Sequence, residues 1–251
     1  MHTLYLGPSW AVQSFETLHG DDPIKTSLAQ ELGLKNFTSL AACGDSNMAQ
    51  IDAAREFMAS HPELAPFRAI FITSNSLQDS DCLVDIPRVD FAKQFITHDD
   101  VLHLIRDLEL KFYCALEDLN IPVALIGAHT DVIENNWSSN ITVIHPSWQN
   151  FLAEQCSLNS FFGWPAEIAH LWLSLQVVPR HGPVMSFDCD QLPSKSAVFE
   201  INHAMSVWKK LERSRLWCGA HPNIRGNQLF AQAIGDLVNQ WLEKTKNIVY
   251  T

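Results

Sequence analysis

Four short segments of this chain hold residue types that can carry acyl chemistry without a cofactor. Ser9 lies in the run Leu6-Gly7-Pro8-Ser9-Trp10-Ala11, and Gly44 lies in Cys43-Gly44-Asp45-Ser46-Asn47. Asn75 lies in Thr73-Ser74-Asn75-Ser76, and His221 in Cys218-Gly219-Ala220-His221-Pro222-Asn223-Ile224-Arg225-Gly226. A serine hydroxyl becomes a useful nucleophile only with a base in hydrogen-bond reach, and an imidazole is the usual one. Attack on an acyl carbon creates an oxyanion, which needs preorganised N–H donors. Each residue also has a plainer reading. Ser9 suits a turn or helix cap, Gly44 a positive φ, Asn75 an Asx turn and His221 a helix start satisfied by backbone.

The elements around these segments decide between the readings. Thr3-Leu4-Tyr5-Leu6 is an apolar, β-prone run stopped by Gly7-Pro8, which predicts a buried strand and a turn. Ile24, Leu28, Ala29 and Leu32 share a helical face ended by Gly33. A strand is expected over Phe37–Ala42, a helix from about Met48 to Ser60, and a strand over Ala69–Thr73. A long amphipathic helix follows from about Asp99 to Leu119, with Asp99 or Asp100 as N-cap, then a strand over Pro122–Gly127. The last helix, about Arg225 to Lys244, carries Leu229, Ala233, Leu237 and Trp241 as a core-facing stripe. Strands alternating with helices at this spacing imply a parallel sheet covered on both faces. Sites in such sheets lie at the carboxyl ends of the strands, which is where Ser9, Gly44 and Asn75 fall.

The stretch from about 135 to 215 is less regular. It holds Trp137, Trp148, Trp164, Trp172 and Trp208 with five of the prolines, and reads as a cap or insertion on a single domain spanning 1–251, with a strand near Ile141–Ile144. Its tryptophans suit a cleft for a sugar or acyl group and suit core packing equally. Asp188-Cys189-Asp190 superficially suggests a metal site but has no partner histidine, so no metal is expected.

Composition narrows the function classes. The 251 residues are 47% hydrophobic and 18% charged, with net charge −11. That balance opposes nucleic acid or an anionic membrane as partner, because both demand a basic face. The longest basic run is the pair Lys209–Lys210. No apolar run reaches the roughly 18 residues a bilayer span needs, and Met1–Gly7 has no signal-peptide character. Cytoplasmic location is the expectation. The six cysteines are scattered without a C-x-x-C pair, which suits free thiols in a reducing compartment.

Taken in order, the four segments resemble the sequence blocks of the SGNH (GDSL-like) hydrolases, whose blocks supply Ser, Gly, Asn and His. His-Pro-Asn leading into the last helix is the closest match, and the resemblance runs from residue 4 to residue 242 with the middle third unmatched. It implies a three-layer α/β/α sandwich of flavodoxin-like form with a parallel central sheet. It also implies an esterase or acyl hydrolase with Ser9 as nucleophile and His221 as general base. The oxyanion hole would be the N–H of Ser9, the N–H of Gly44 and the side-chain amide of Asn75. No cofactor is implied, and the substrate would be a small-molecule or carbohydrate ester. Trp10, beside the nucleophile, and Asn47 are candidate substrate contacts, although Asn47 also suits a helix cap, the favoured reading, or a hydrogen bond to the oxyanion loop, and Asp45 a solvated turn acid.

Two positions depart from the family pattern. Pro8 stands where the first block has an acid, and Cys218 stands three residues before His221 where the family has an Asp. A neutral thiol cannot stabilise an imidazolium as a carboxylate does. The expectation is therefore a Ser–His dyad or an orienting group from elsewhere, with a non-catalytic scaffold as the alternative. A literal Gly-Asp-Ser also occurs at Gly44-Asp45-Ser46. Ser46 is the weaker nucleophile candidate, because no strand and glycine fit between it and Asn75.

Overall fold

Leu4, Tyr5 and Leu6 are all buried because β1 (His2–Leu6) sits inside the sheet, paired in parallel with β2 (Phe37–Ser39) on one side and β3 (Phe67–Ile72) on the other. The computed structural model describes residues 1–12, 27–43, 45–74, 98–128, 132, 138–155, 216–218 and 221–246. β4 (Val123–Ile126) and β5 (Ile141–His145) complete a five-stranded parallel sheet in the order β2-β1-β3-β4-β5. This is the flavodoxin-like order. Pairing of the second strand continues past its regular part, with Leu40 N–H on the Tyr5 carbonyl and Ala42 N–H on the Gly7 carbonyl. The strand expected over Phe37–Ala42 is thus present as a ladder.

Alternation along the strands divides the core in two. Tyr5, Ile70, Ile72, Ala124 and Ile126 face a layer built from α1 (Ser9–Val12), α2 (Leu28–Glu31), α5 (Trp148–Gln155) and α6 (Ile224–Thr245). Leu4, Leu6, Ala69, Phe71, Val123 and Leu125 face α3 (Asn47–Ser60) and α4 (His98–Glu117). The result is the three-layer α/β/α sandwich the sequence implied. None of the described helices is long and apolar enough to cross a membrane.

Three helix readings need correction. Ser27 is extended and caps α2, its side chain accepting from Gln30 N while Gln30 reaches back to Ser27 N, so the helix begins at Leu28 and not at Ile24. α4 already includes His98, so neither Asp99 nor Asp100 is its cap. On α6 the buried face is Asn227, Phe230, Ala231, Ile234, Val238, Trp241 and Thr245, whereas Ala233 is exposed and Leu237 is 45% exposed. Only Trp241 of the expected stripe is buried on it. Phe230 anchors this face, stacked on Trp148 at 4.7 Å.

Of the irregular stretch, residues 138–155 belong to the main fold as β5 and α5, and Trp148 is a core residue. Residues 156–215, with Trp164, Trp172, Trp208 and Asp188-Cys189-Asp190, lie outside the described residues, as does Trp137.

Candidate active site

The order β2-β1-β3 places the switch point of the sheet between β1 and β3, where the chain's connections diverge. Ser9 follows β1 and Ser74 follows β3, so both stand at the carboxyl ends flanking that point.

Ser9 owes its position to Gly7. That residue has φ +149°, a conformation L side chains rarely adopt, and a Cβ there would lie 2.8 Å from Ala11 Cβ and 2.9 Å from the Ile72 carbonyl oxygen. The chain turns through Gly7 and Pro8, the Pro8 carbonyl accepts from Ala11 N–H at 2.8 Å, and Ser9 opens α1, half-buried. Pro8 is thus part of the turn. Trp10 and Ala11 anchor α1 beneath it. Trp10 is 1% exposed and packs edge-to-face on Trp148 at 5.5 Å. Its role is that of a core residue under the turn, in place of the expected pocket wall.

Ser46 is the N-cap of α3, its side chain accepting from Ala49 N–H at 3.2 Å. Asn47 is therefore not the cap. It is 2% exposed, and its Oδ1 accepts from Ser74 N–H at 2.6 Å, which ties it to the third block instead of presenting it to a substrate. Asp45 is not merely a solvated acid either, because its Oδ2 accepts from Gln50 Nε2 at 2.7 Å. Burial, then the neighbouring Asp45 charge, push the Cys43 thiol up, so it is a poor nucleophile. Gly44 and Asn75 lie outside the described residues.

His221 arrives by an element that the sequence reading did not contain. β6 (Trp217–Cys218) and β7 (His221–Pro222) pair antiparallel, with Cys218 opposite His221 and Trp217 opposite Pro222. Asn223 then caps α6, accepting from Gly226 N–H at 3.0 Å and donating its own N–H to the Leu216 carbonyl at 3.0 Å. Gly226 permits this closure, since a Cβ there would run into the Leu216 carbonyl. β7 lies against both α1 and α6. The backbone of His221 is thereby brought beside the short helix that Ser9 opens.

At the carboxyl end of β5, His145 is a titratable group that the sequence reading passed over. Its Nδ1 accepts from Ser147 N–H at 3.1 Å, and its ring meets Phe230 and Phe151 edge-on. Burial pushes its imidazole pKa below the ordinary value, against the opposing pull of Glu154. Among the described residues no three His, Cys, Asp or Glu side chains are grouped to hold a metal.

No protein-family model matches this chain, and no curated protein matches it. Among solved structures it is similar to the protein YxiM of Bacillus subtilis, with 13% identity and a TM-score of 0.39, covering 100% of this chain and 58% of that one. It is also similar to an inhibitor-bound aryl esterase of M. smegmatis, with 10% identity and a TM-score of 0.35, covering 96% and 100% of the two chains. The chain thus spans 58% of the length of the first of these. Both likenesses are too distant to carry a residue-by-residue correspondence.

Proposed function

We propose that this chain is a serine esterase of the SGNH type, with Ser9 as nucleophile and His221 as general base. The observation that carries this reading is the packing of β7 against α1, which puts the one segment bearing His221 beside the one bearing Ser9. The carboxyl-end position of Ser9 at the switch point supports it further.

In the proposed cycle the Ser9 Oγ attacks the acyl carbon as its proton passes to the His221 imidazole. The tetrahedral oxyanion is held by the N–H of Ser9, the N–H of Gly44 and the side-chain amide of Asn75. Collapse expels the alcohol, which takes the proton from the imidazolium. Water, deprotonated by the same imidazole, then attacks the acyl-serine and releases the acid. With Cys218 in the place of an acid, the imidazolium is stabilised by another group, such as a backbone carbonyl, and turnover is slow; losing the triad acid costs about 10⁴-fold. Substrates are small esters, including O-acetyl groups on carbohydrate.

Cys218 also favours a second reading, a scaffold that binds without turning over. Kinetics on short-chain p-nitrophenyl esters separate the two. The esterase reading expects hydrolysis that falls about 10²-fold in both Ser9→Ala and His221→Ala, since the missing acid has already removed most of the triad's worth. Hydrolysis equal in wild type and Ser9→Ala, or none in wild type, sinks it.

A further inference from the structure

We infer that Asn47 and Gln50 are positioning residues of this site, fixing from the first turn of α3 the described residues Gly7, Asp45 and Ser74, which lie next to or near Ser9, Gly44 and Asn75 in the sequence. The inference rests on the esterase reading for its catalytic consequence, while its structural content stands by itself. Both side chains are buried, Gln50 1% and Asn47 2% exposed, and buried amides must find partners. Gln50 Oε1 accepts from the Gly7 N–H at 2.9 Å, and Gln50 Nε2 donates to Asp45 Oδ2 at 2.7 Å.

The two bonds make the amide orientation one-way. A flipped Gln50 would set its NH₂ against the Gly7 N–H and its oxygen against the Asp45 carboxylate. Gly7 is gripped from its other side by Ala42 N–H on its carbonyl, so the turn before Ser9 and the loop entering Gly44 are held as one unit. Asn47 does the same for the third loop through Ser74 N–H at 2.6 Å, the residue before Asn75. Three residues apart, 47 and 50 share a helix face, so one rigid element holds Gly7, Asp45 and Ser74 together. An oxyanion site demands this, since a misplacement of about 1 Å can cost about 10²-fold in rate.

The test uses the full-length protein with Gln50→Ala, Asn47→Ala, Asp45→Ala and Asp45→Asn. Amide hydrogen exchange at Gly7 and Ser74 is measured beside kcat and KM on a p-nitrophenyl ester. Gln50→Ala is expected to speed exchange at Gly7, and Asn47→Ala at Ser74, by at least about tenfold while β3 amides keep their protection. Both are expected to lower kcat about 10- to 100-fold with KM within about threefold. Asp45→Ala follows Gln50→Ala in direction, and Asp45→Asn, which keeps an acceptor for Gln50 Nε2, restores the lost rate. If Gln50→Ala does not fold, the Asp45 pair decides alone.

Unchanged exchange at Gly7 and Ser74 overturns the inference, and so does an unchanged kcat in variants of an active wild type. An inactive wild type with the expected exchange pattern sinks the esterase reading and the catalytic half of the inference, and leaves the bracing supported.

Discussion

Two serines follow a glycine in the right neighbourhood, and their local bonding separates them. Ser46 holds the first turn of α3 through Ala49 N–H, whereas Ser9 opens α1 at the end of β1. Replacing Ser46 by Ala should therefore cost about 1 kcal/mol of stability in a denaturant titration, the usual worth of a cap. Ser9→Ala should cost far less stability than activity. The sequence pointed to Ser9 because it weighed what must follow each serine, but it could not see Gln50, whose role depends on partners 43 and 5 residues away. Glu109 on α4 provides a separate check. Burial, opposed by Arg106, raises its carboxyl to about 7. A raised pKa means stability fully present below the unfolded value of 4.5 and lost as pH rises through about 7. Glu109→Gln should leave the melting temperature unchanged at about pH 4 and raise it at about pH 8. An equal effect at both pH values would contradict the burial argument.

β1, β3 and β4 were legible because each is a short apolar run buried on both faces, and the parallel arrangement followed from the helices between the strands. The last helix was legible in extent but misread in facing. Residues chosen strictly four apart advance about 40° per step around a helix of 3.6 residues per turn, so the expected stripe starts at the edge of the core, is exposed at Ala233 and Leu237, and turns onto the buried face only at Trp241. The observed face mixes threes and fours and runs through Phe230, Ile234, Val238 and Trp241. Phe230→Ala should accordingly cost about 3–5 kcal/mol in chemical denaturation, and Ala233→Ser within about 0.5 kcal/mol. Comparable costs at the two positions would return the core to the other stripe. The β6–β7 hairpin was not legible, because two-residue strands carry no periodicity. It is nevertheless the element that carries His221 to α1.

Across the molecule, the sheet order does what no local motif can. It brings residues separated by most of the chain to one edge, with the loops after β1, β2 and β3 gathered by α3 and with β7 closing from the far end of the sequence. Composition set the outer bounds, since a net charge of −11 suits neither a nucleic acid nor an anionic membrane. Substrate choice is not legible at this level, because sites of one fold serve many chemistries. The central claim, a nucleophile at Ser9 activated by His221, is tested most directly by fluorophosphonate labelling with mass-spectrometric mapping of the adduct. The expected result is one phosphonyl group on Ser9, absent in Ser9→Ala and formed far more slowly in His221→Ala. A folded wild-type protein that takes up no label, or takes it up on Ser46, would contradict the claim.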